Sequence, residues 1–127
     1  MKPPYIAILS ITSLFLTECT NGEIKKMNAF YIPFQAQTFA PVTADSIERN
    51  FKKRLVVSNG DPLLDALIRA HKNGAASQID ENQIRFKYER GKTRILVDST
   101  GVISLNGVSR NCSKEQFSKI EKLIQKT

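Results

Sequence analysis

Residues 84–105 read "IRFKYERGKTRILVDSTGVISL", and the fold follows from how this stretch turns back on itself. If Gly91 and Lys92 form a two-residue turn with glycine first, Tyr88 faces Ile95 and Phe86 faces Val97 on one side of an antiparallel pair. The other side then sets Glu89 opposite Arg94 and Arg85 opposite Asp98, two pairs of complementary charge. A one-residue slip would destroy both patterns. The "DSTG" at 98–101 suits a three-residue loop with Gly101 left-handed, which pairs Val97 with Ile103 and Ile95 with Leu105. Two turns, derived independently, agree on one apolar face: Ile84, Phe86, Tyr88, Ile95, Val97, Ile103 and Leu105. Asn106 and Gly107 turn the chain again toward a short last strand.

Upstream, "NAFYIPFQAQTFAPVT" alternates Phe30, Ile32, Phe34 and Ala36 against Tyr31, Gln35 and Gln37, the period of a half-buried strand. Pro33 has no N–H to donate, which predicts an edge strand or a bulge there, and Pro41 closes the strand. Asp45 and Glu48 have capping-box spacing for a short helix with Ile47 and Phe51 on one side. "KRLVVSNGD" predicts a second strand ending in a turn at Asn59 and Gly60. Asp61 then caps a helix, Pro62 suits its first turn, Leu63, Leu64, Leu67 and Ile68 form its apolar stripe, and Gly74 stops it. Ser113 and Gln116 form a capping box for a final helix whose Phe117, Ile120, Leu123 and Ile124 share a face. The order is strand, helix, strand, helix, meander, helix. It predicts an α+β domain: a mainly antiparallel sheet of about five strands with helices packed on one face.

The chain has 127 residues, enough for one domain, and no repeat or linker-like run interrupts it from Asn28 onward. Its start is different. Lys2 precedes the apolar run "YIAILSITSLFL", which is too short to span a bilayer and has the layout of an export signal. Residues 1–22 therefore read as a signal peptide and 23–127 as a single compact domain. Cys19 follows Leu16, Thr17 and Glu18, a box that matches a lipoprotein signal at two positions and departs from it at Glu18. Three fates stand open for Cys19: lipid attachment, loss with the signal after Gly22, or a disulfide to Cys112. In the first two, Cys112 is left as a lone thiol in an oxidising compartment, either buried or bridging two copies.

The net formal charge is +7, and it survives loss of residues 1–22 because Lys2 and Glu18 cancel. Such a charge attracts acidic proteins, anionic lipid head groups and anionic cell-wall polymers. Nucleic acid is not an expected partner: there is no Trp, no Cys/His finger and no aromatic RNA-binding pattern.

No catalytic set stands out. The stretch "DSTG" carries one residue more than the aspartic-protease signature, and hairpin geometry accounts for all its positions. His71 is the single histidine, placed near a helix C-terminus where the dipole favours it, with no ligand-spaced partners. Arg110 and Lys114 flank Cys112, but a nucleophilic thiol also needs a base, and His71 is the one on offer. Asp61, Asp65, Asp80 and Glu81 sit where caps and loops want acids. The expectation is no enzyme activity, no cofactor and no metal.

Two basic groups suggest binding instead. Arg85, Lys87, Arg94 and Leu96 share the outer face of the hairpin, and Arg49, Lys52, Lys53 and Arg54 gather in "RNFKKR". With an export signal, one small domain and a charged surface, the chain resembles in general shape the small exported inhibitors and immunity proteins of bacteria. That resemblance implies a periplasmic or outer-membrane protein, lipid-anchored through Cys19 or free. It would block an acidic protein target by steric occlusion, these eight residues forming the partner-binding surface. An envelope accessory lipoprotein that binds anionic lipid or cell-wall polymer is the alternative expectation.

Overall fold

A computed structural model describes residues 26–58 and 60–127; residues 1–25, with the expected signal segment and Cys19, and Asn59 lie outside the described residues. In chain order the elements are β1 (Lys26–Tyr31), α1 (Ile47–Asn50), β2 (Lys53–Ser58), α2 (Pro62–Lys72), β3 (Ala75–Ala76), β4 (Ile84–Arg90), β5 (Thr93–Asp98), β6 (Val102–Leu105), β7 (Val108–Asn111) and α3 (Lys114–Lys126). The strands form one antiparallel sheet in the order β2-β1-β4-β5-β6-β7-β3. The class is α+β. The sheet has seven strands rather than about five, because two residues at β3 extend the edge beyond the short last strand.

The central meander forms as its turn residues dictate. Tyr88 pairs with Ile95, Phe86 with Val97 and Glu89 with Arg94 across the first hairpin, and Val97 pairs with Ile103 and Ile95 with Leu105 across the second. Gly91 at φ +56° and Gly101 at φ +97° take the left-handed positions that a side chain would resist. The register departs from expectation at one place. A bulge between Ile84 and Phe86 sets Ile84, not Arg85, opposite Asp98. An extra residue flips the strand, so Ile84 leaves the face of Phe86 and Tyr88.

The inner face carries the main core. Ala29, Tyr31, Leu55, Val57, Phe86, Tyr88, Ile95, Val97 and Ile103 pack against Leu63, Leu67 and Ala70 of α2 and Ile120 and Ile124 of α3. Both helices start as their sequences predict: Asp61 accepts a hydrogen bond from the Leu63 N–H at 2.9 Å, and Ser113 accepts from the Gln116 N–H at 3.2 Å. Leu63 and Leu67 are buried, while Ile68 of the predicted stripe is exposed. Asn73 closes α2, and the Gly74 N–H bonds the His71 carbonyl. A Cβ at Gly74 would lie 2.5 Å from the Asn111 carbonyl oxygen, so glycine is what lets the chain cross close enough for β3 to join β7. His71 is buried at this end of α2, its Nε2 2.7 Å from the Val108 carbonyl oxygen of β7.

The outer face is covered on one half only. β1 ends at Tyr31, and it is an interior strand between β2 and β4, not an edge. Pro33 lies beyond it in a turn closed by the Ala36 N–H on the Pro33 carbonyl. That turn sends Phe34 to the inner core, where its ring meets Tyr31 and Phe117 at 5.4 and 4.4 Å between centroids. The chain from Ile32 to α1 then folds back over β1 and β4. Ile32, Val42, Ile47 and Ile84 form a second buried cluster there, with Phe30, Ala36, Ile79 and Leu96 against it. So α1 packs on the face opposite α2 and α3. Its cap differs as well: Ser46 holds the N-cap position with no side-chain cap bond, its hydroxyl being engaged with Thr43. Glu48 does not cap α1 but pairs with Lys87 of β4.

Candidate functional site

The second cluster decides the fate of the hairpin's outer charges. Lys87 is buried, its ammonium held by the Glu48 carboxylate of α1 and donating to the Ala44 carbonyl oxygen at 2.8 Å. A short ladder of charge continues outward, with Lys87 Nζ 3.6 Å from Glu89 and Glu89 3.2 Å from Arg94 Nε. Two acids and two bases alternate in it, so this strip is electrically balanced. It is no cationic patch.

Arg85 does not meet Asp98. It sits at the bulge, 1% exposed, and donates to the carbonyls of Ile84 and Ala36 and to Gln83 Oε1. Loss of water lowers its pKa from the ordinary guanidinium value, opposed by the nearby charges of Asp80 and Asp98. Asp98 is buried too, and accepts from the N–H groups of Asp80, Thr100 and Val102 and from the Thr100 hydroxyl. Each charge satisfies backbone that the loops would otherwise leave unpaired. Arg85 and Lys87 are thus part of the scaffold and leave the set of surface partner residues.

"RNFKKR" divides in the same way. Lys53 reaches across to the last turn of α3 and donates to the carbonyls of Ile124 and Gln125 at 3.1 and 3.4 Å, a cation on the negative end of a helix. Arg49, Lys52 and Arg54 are exposed. The described ion pairs all lie on the Glu48, Lys87, Glu89 and Arg94 ladder, so these three carry charge with no carboxylate within ion-pair distance among the described residues.

The open half of the outer face lies over β5, β6 and β7. Two cavities of about 460 and about 310 Å³ meet at Glu81, Arg94 and Leu96. The larger has a floor of Leu96, Ser104 and Ser109 and a wall from the segment 77–81; the smaller runs on toward Thr43, Asp45 and Asn82. Strand alternation produces this floor: Leu96 pairs with Ser104, and Ser104 with Ser109, so the three project together. Ser104 and Ser109 follow from the register of the meander. The wall does not, since "SQIDE" at 77–81 carries neither helical nor strand period.

Cys112 is half-buried with its thiol directed at the Gly101 carbonyl, 3.4 Å away. Burial pushes its pKa up, with Asp98 adding and its own backbone opposing. The flanking Arg110 and Lys114 do not reverse this, and His71 is engaged with Val108. The geometry is that of a protected thiol. No group of three or more His, Cys, Asp and Glu side chains that could hold a metal is found among the described residues. No described helix is long and apolar enough to cross a membrane.

The chain matches no family model, no curated protein and no solved structure. Its functional reading therefore comes from its own geometry.

Proposed function

We propose that this chain is an exported bacterial binding protein that inhibits, or gives immunity against, an envelope-acting protein by occluding it. Arg94 and Leu96 form the centre of the contact, and the partner seats in the groove over β5, β6 and β7. The observation that supports this reading is the uncovered half of the outer face, where two cavities join around Arg94 and Leu96 of β5 and Glu81 of the wall. A leucine and an arginine at the centre of a hydroxyl and carboxylate rim are residue types that protein contacts favour or tolerate. The positive net charge would speed encounter with an acidic partner, and the groove would set its register.

The test is rescue. The product of the adjacent gene is sent to the periplasm of a sensitive cell with this chain, or with its Arg94→Glu, Leu96→Asp variant. Protection by the native chain and its loss in the variant is the expected result. Killing regardless of the native chain, or equal protection by the variant, overturns the proposal.

A further inference from the structure

On the other side of the covering segment stands a feature that the groove does not use. Phe39 is fully exposed, at 112% of its reference area, and its neighbours Gln37, Ala40 and Pro41 are exposed as well. It borders a cavity of about 250 Å³ whose rim includes Asn50 and Lys52. Arg49 precedes Asn50 on α1. Arg54 lies opposite Phe30 in β2, at the same end of the sheet, because the Lys52 N–H bonds the Tyr31 carbonyl oxygen where β1 ends. Of the two acids that precede these cations on the segment, Glu48 is held by Lys87 and Asp45 lines the groove beyond.

From this we infer that the Phe39 loop is a docking point for an anionic lipid surface, with Phe39 entering the acyl boundary and Arg49, Lys52 and Arg54 meeting the phosphate head groups. A projecting aromatic with Lys52 beside it, and exposed cations that have no ion pair among the described residues at the same end of the sheet, form a combination that suits interfacial binding. An acidic protein suits it less well. A protein contact wants an apolar patch of some breadth inside a polar rim, whereas here one ring projects alone from small and polar neighbours. A bilayer accepts a lone wedge because its surface conforms. The inference is independent of the groove and its partner, since it rests on different residues.

The chain contains no Trp, so Phe39→Trp in the full chain gives a reporter that sees position 39 and nothing else. With vesicles of phosphatidylcholine containing phosphatidylglycerol, its emission should move to shorter wavelength and be quenched by bromine carried on the acyl chains. Phosphatidylcholine alone should give neither. In the same reporter chain, changing Arg49, Lys52 and Arg54 together to Gln should weaken partitioning about a hundredfold, roughly fivefold for each lost cation. In the native chain, Phe39→Ala should weaken it between about tenfold and a hundredfold. Attachment through residues 1–22 would sediment every variant alike and would leave the indole emission of the reporter unshifted. That outcome overturns the inference. So does an equal shift with soluble polyglutamate, which points to an acidic protein, or a shift that grows with protein concentration in the absence of vesicles, which points to a second copy.

Discussion

The two faces of the sheet are sealed by different means. The inner face is closed mainly by hydrocarbon: α2 and α3 set their apolar stripes on nine strand residues, and the one cation that reaches these helices, Lys53, stays at the margin on the last turn of α3. The outer face is closed over one half by an irregular segment, which brings its own unpaired carbonyls. There charged side chains do the closing, Arg85 on Ala36 and Lys87 on Ala44. A helix satisfies its own interior backbone and needs donors only at its C-terminal end, as Lys53 provides for α3, while a loop must be given donors along its length. This is why a lysine and an arginine that alternate with apolar residues on a strand are buried here and not at the surface.

The largest effect should come from the inner face. Ile120 is fully buried between α3 and the sheet, and Ile120→Ala should lower unfolding free energy by about 4 kcal/mol, transfer and cavity combined. Urea denaturation with an unchanged slope checks it. A loss under about 1 kcal/mol would mean that the two faces do not differ in the way described.

The hairpins were legible in the sequence because turn chemistry and alternation gave the same register, and five of the pairings derived for residues 84–105 are found: three across the first hairpin and two across the second. Both capped helices were legible for the same reason. The outer face was not, and one residue explains much of it. The bulge at Ile84 has no composition signal, yet it turns Ile84 to the second cluster and removes Arg85 from Asp98. Nor does sequence pattern show that a loop will return over a strand. Alternating Phe30, Ile32, Phe34 and Ala36 predicted a continued strand, and the chain instead turns after Pro33, dividing Phe34 from Ile32 between two cores. Of the eight partner residues, Arg85, Lys87 and Lys53 serve the fold, and Phe39 escaped notice because one exposed apolar residue is ordinary in any sequence.

A sharper test of the comparison uses the asymmetry of the outer ion pair. The side chain of Lys87 is 5% exposed and that of Glu48 is 44% exposed. Glu48→Ala leaves a buried ammonium with the Ala44 carbonyl and a more distant Glu89, and should cost about 2 kcal/mol. Lys87→Met keeps the packed stem and leaves behind a carboxylate that water can reach, so it should cost less than about 1 kcal/mol. The order is the point. Equal losses, or a larger loss for Lys87→Met, would show that the pair is held as a surface salt bridge and that the segment is not sealed by charge.

The smallest expected effect is in pH, and it separates the faces by sign. Tyr31 and Tyr88 belong to the inner core, and burial raises both phenols above their ordinary 10.0, with Glu121 adding and the Phe34 backbone opposing at Tyr31, and Arg90 opposing more than Asp61 adds at Tyr88. Burial likewise raises Cys112, packed against the same core, above 9.0. In each case the folded chain holds its proton after the unfolded chain has released it. The unfolded state then binds fewer protons, so stability falls with rising pH. The contribution is whole below the ordinary values and is lost as pH climbs through them toward the raised ones. Arg85 runs the other way: burial lowers its folded value, so the stability that it costs is regained as pH rises toward the ordinary guanidinium value, one group against three. The urea midpoint should therefore decline from about pH 8 to about pH 11, and Cys112→Ala should delay the onset of the decline. A midpoint that stays level or rises over that interval would mean that the inner face admits water to its phenols, and that the two faces are less unlike than their packing implies.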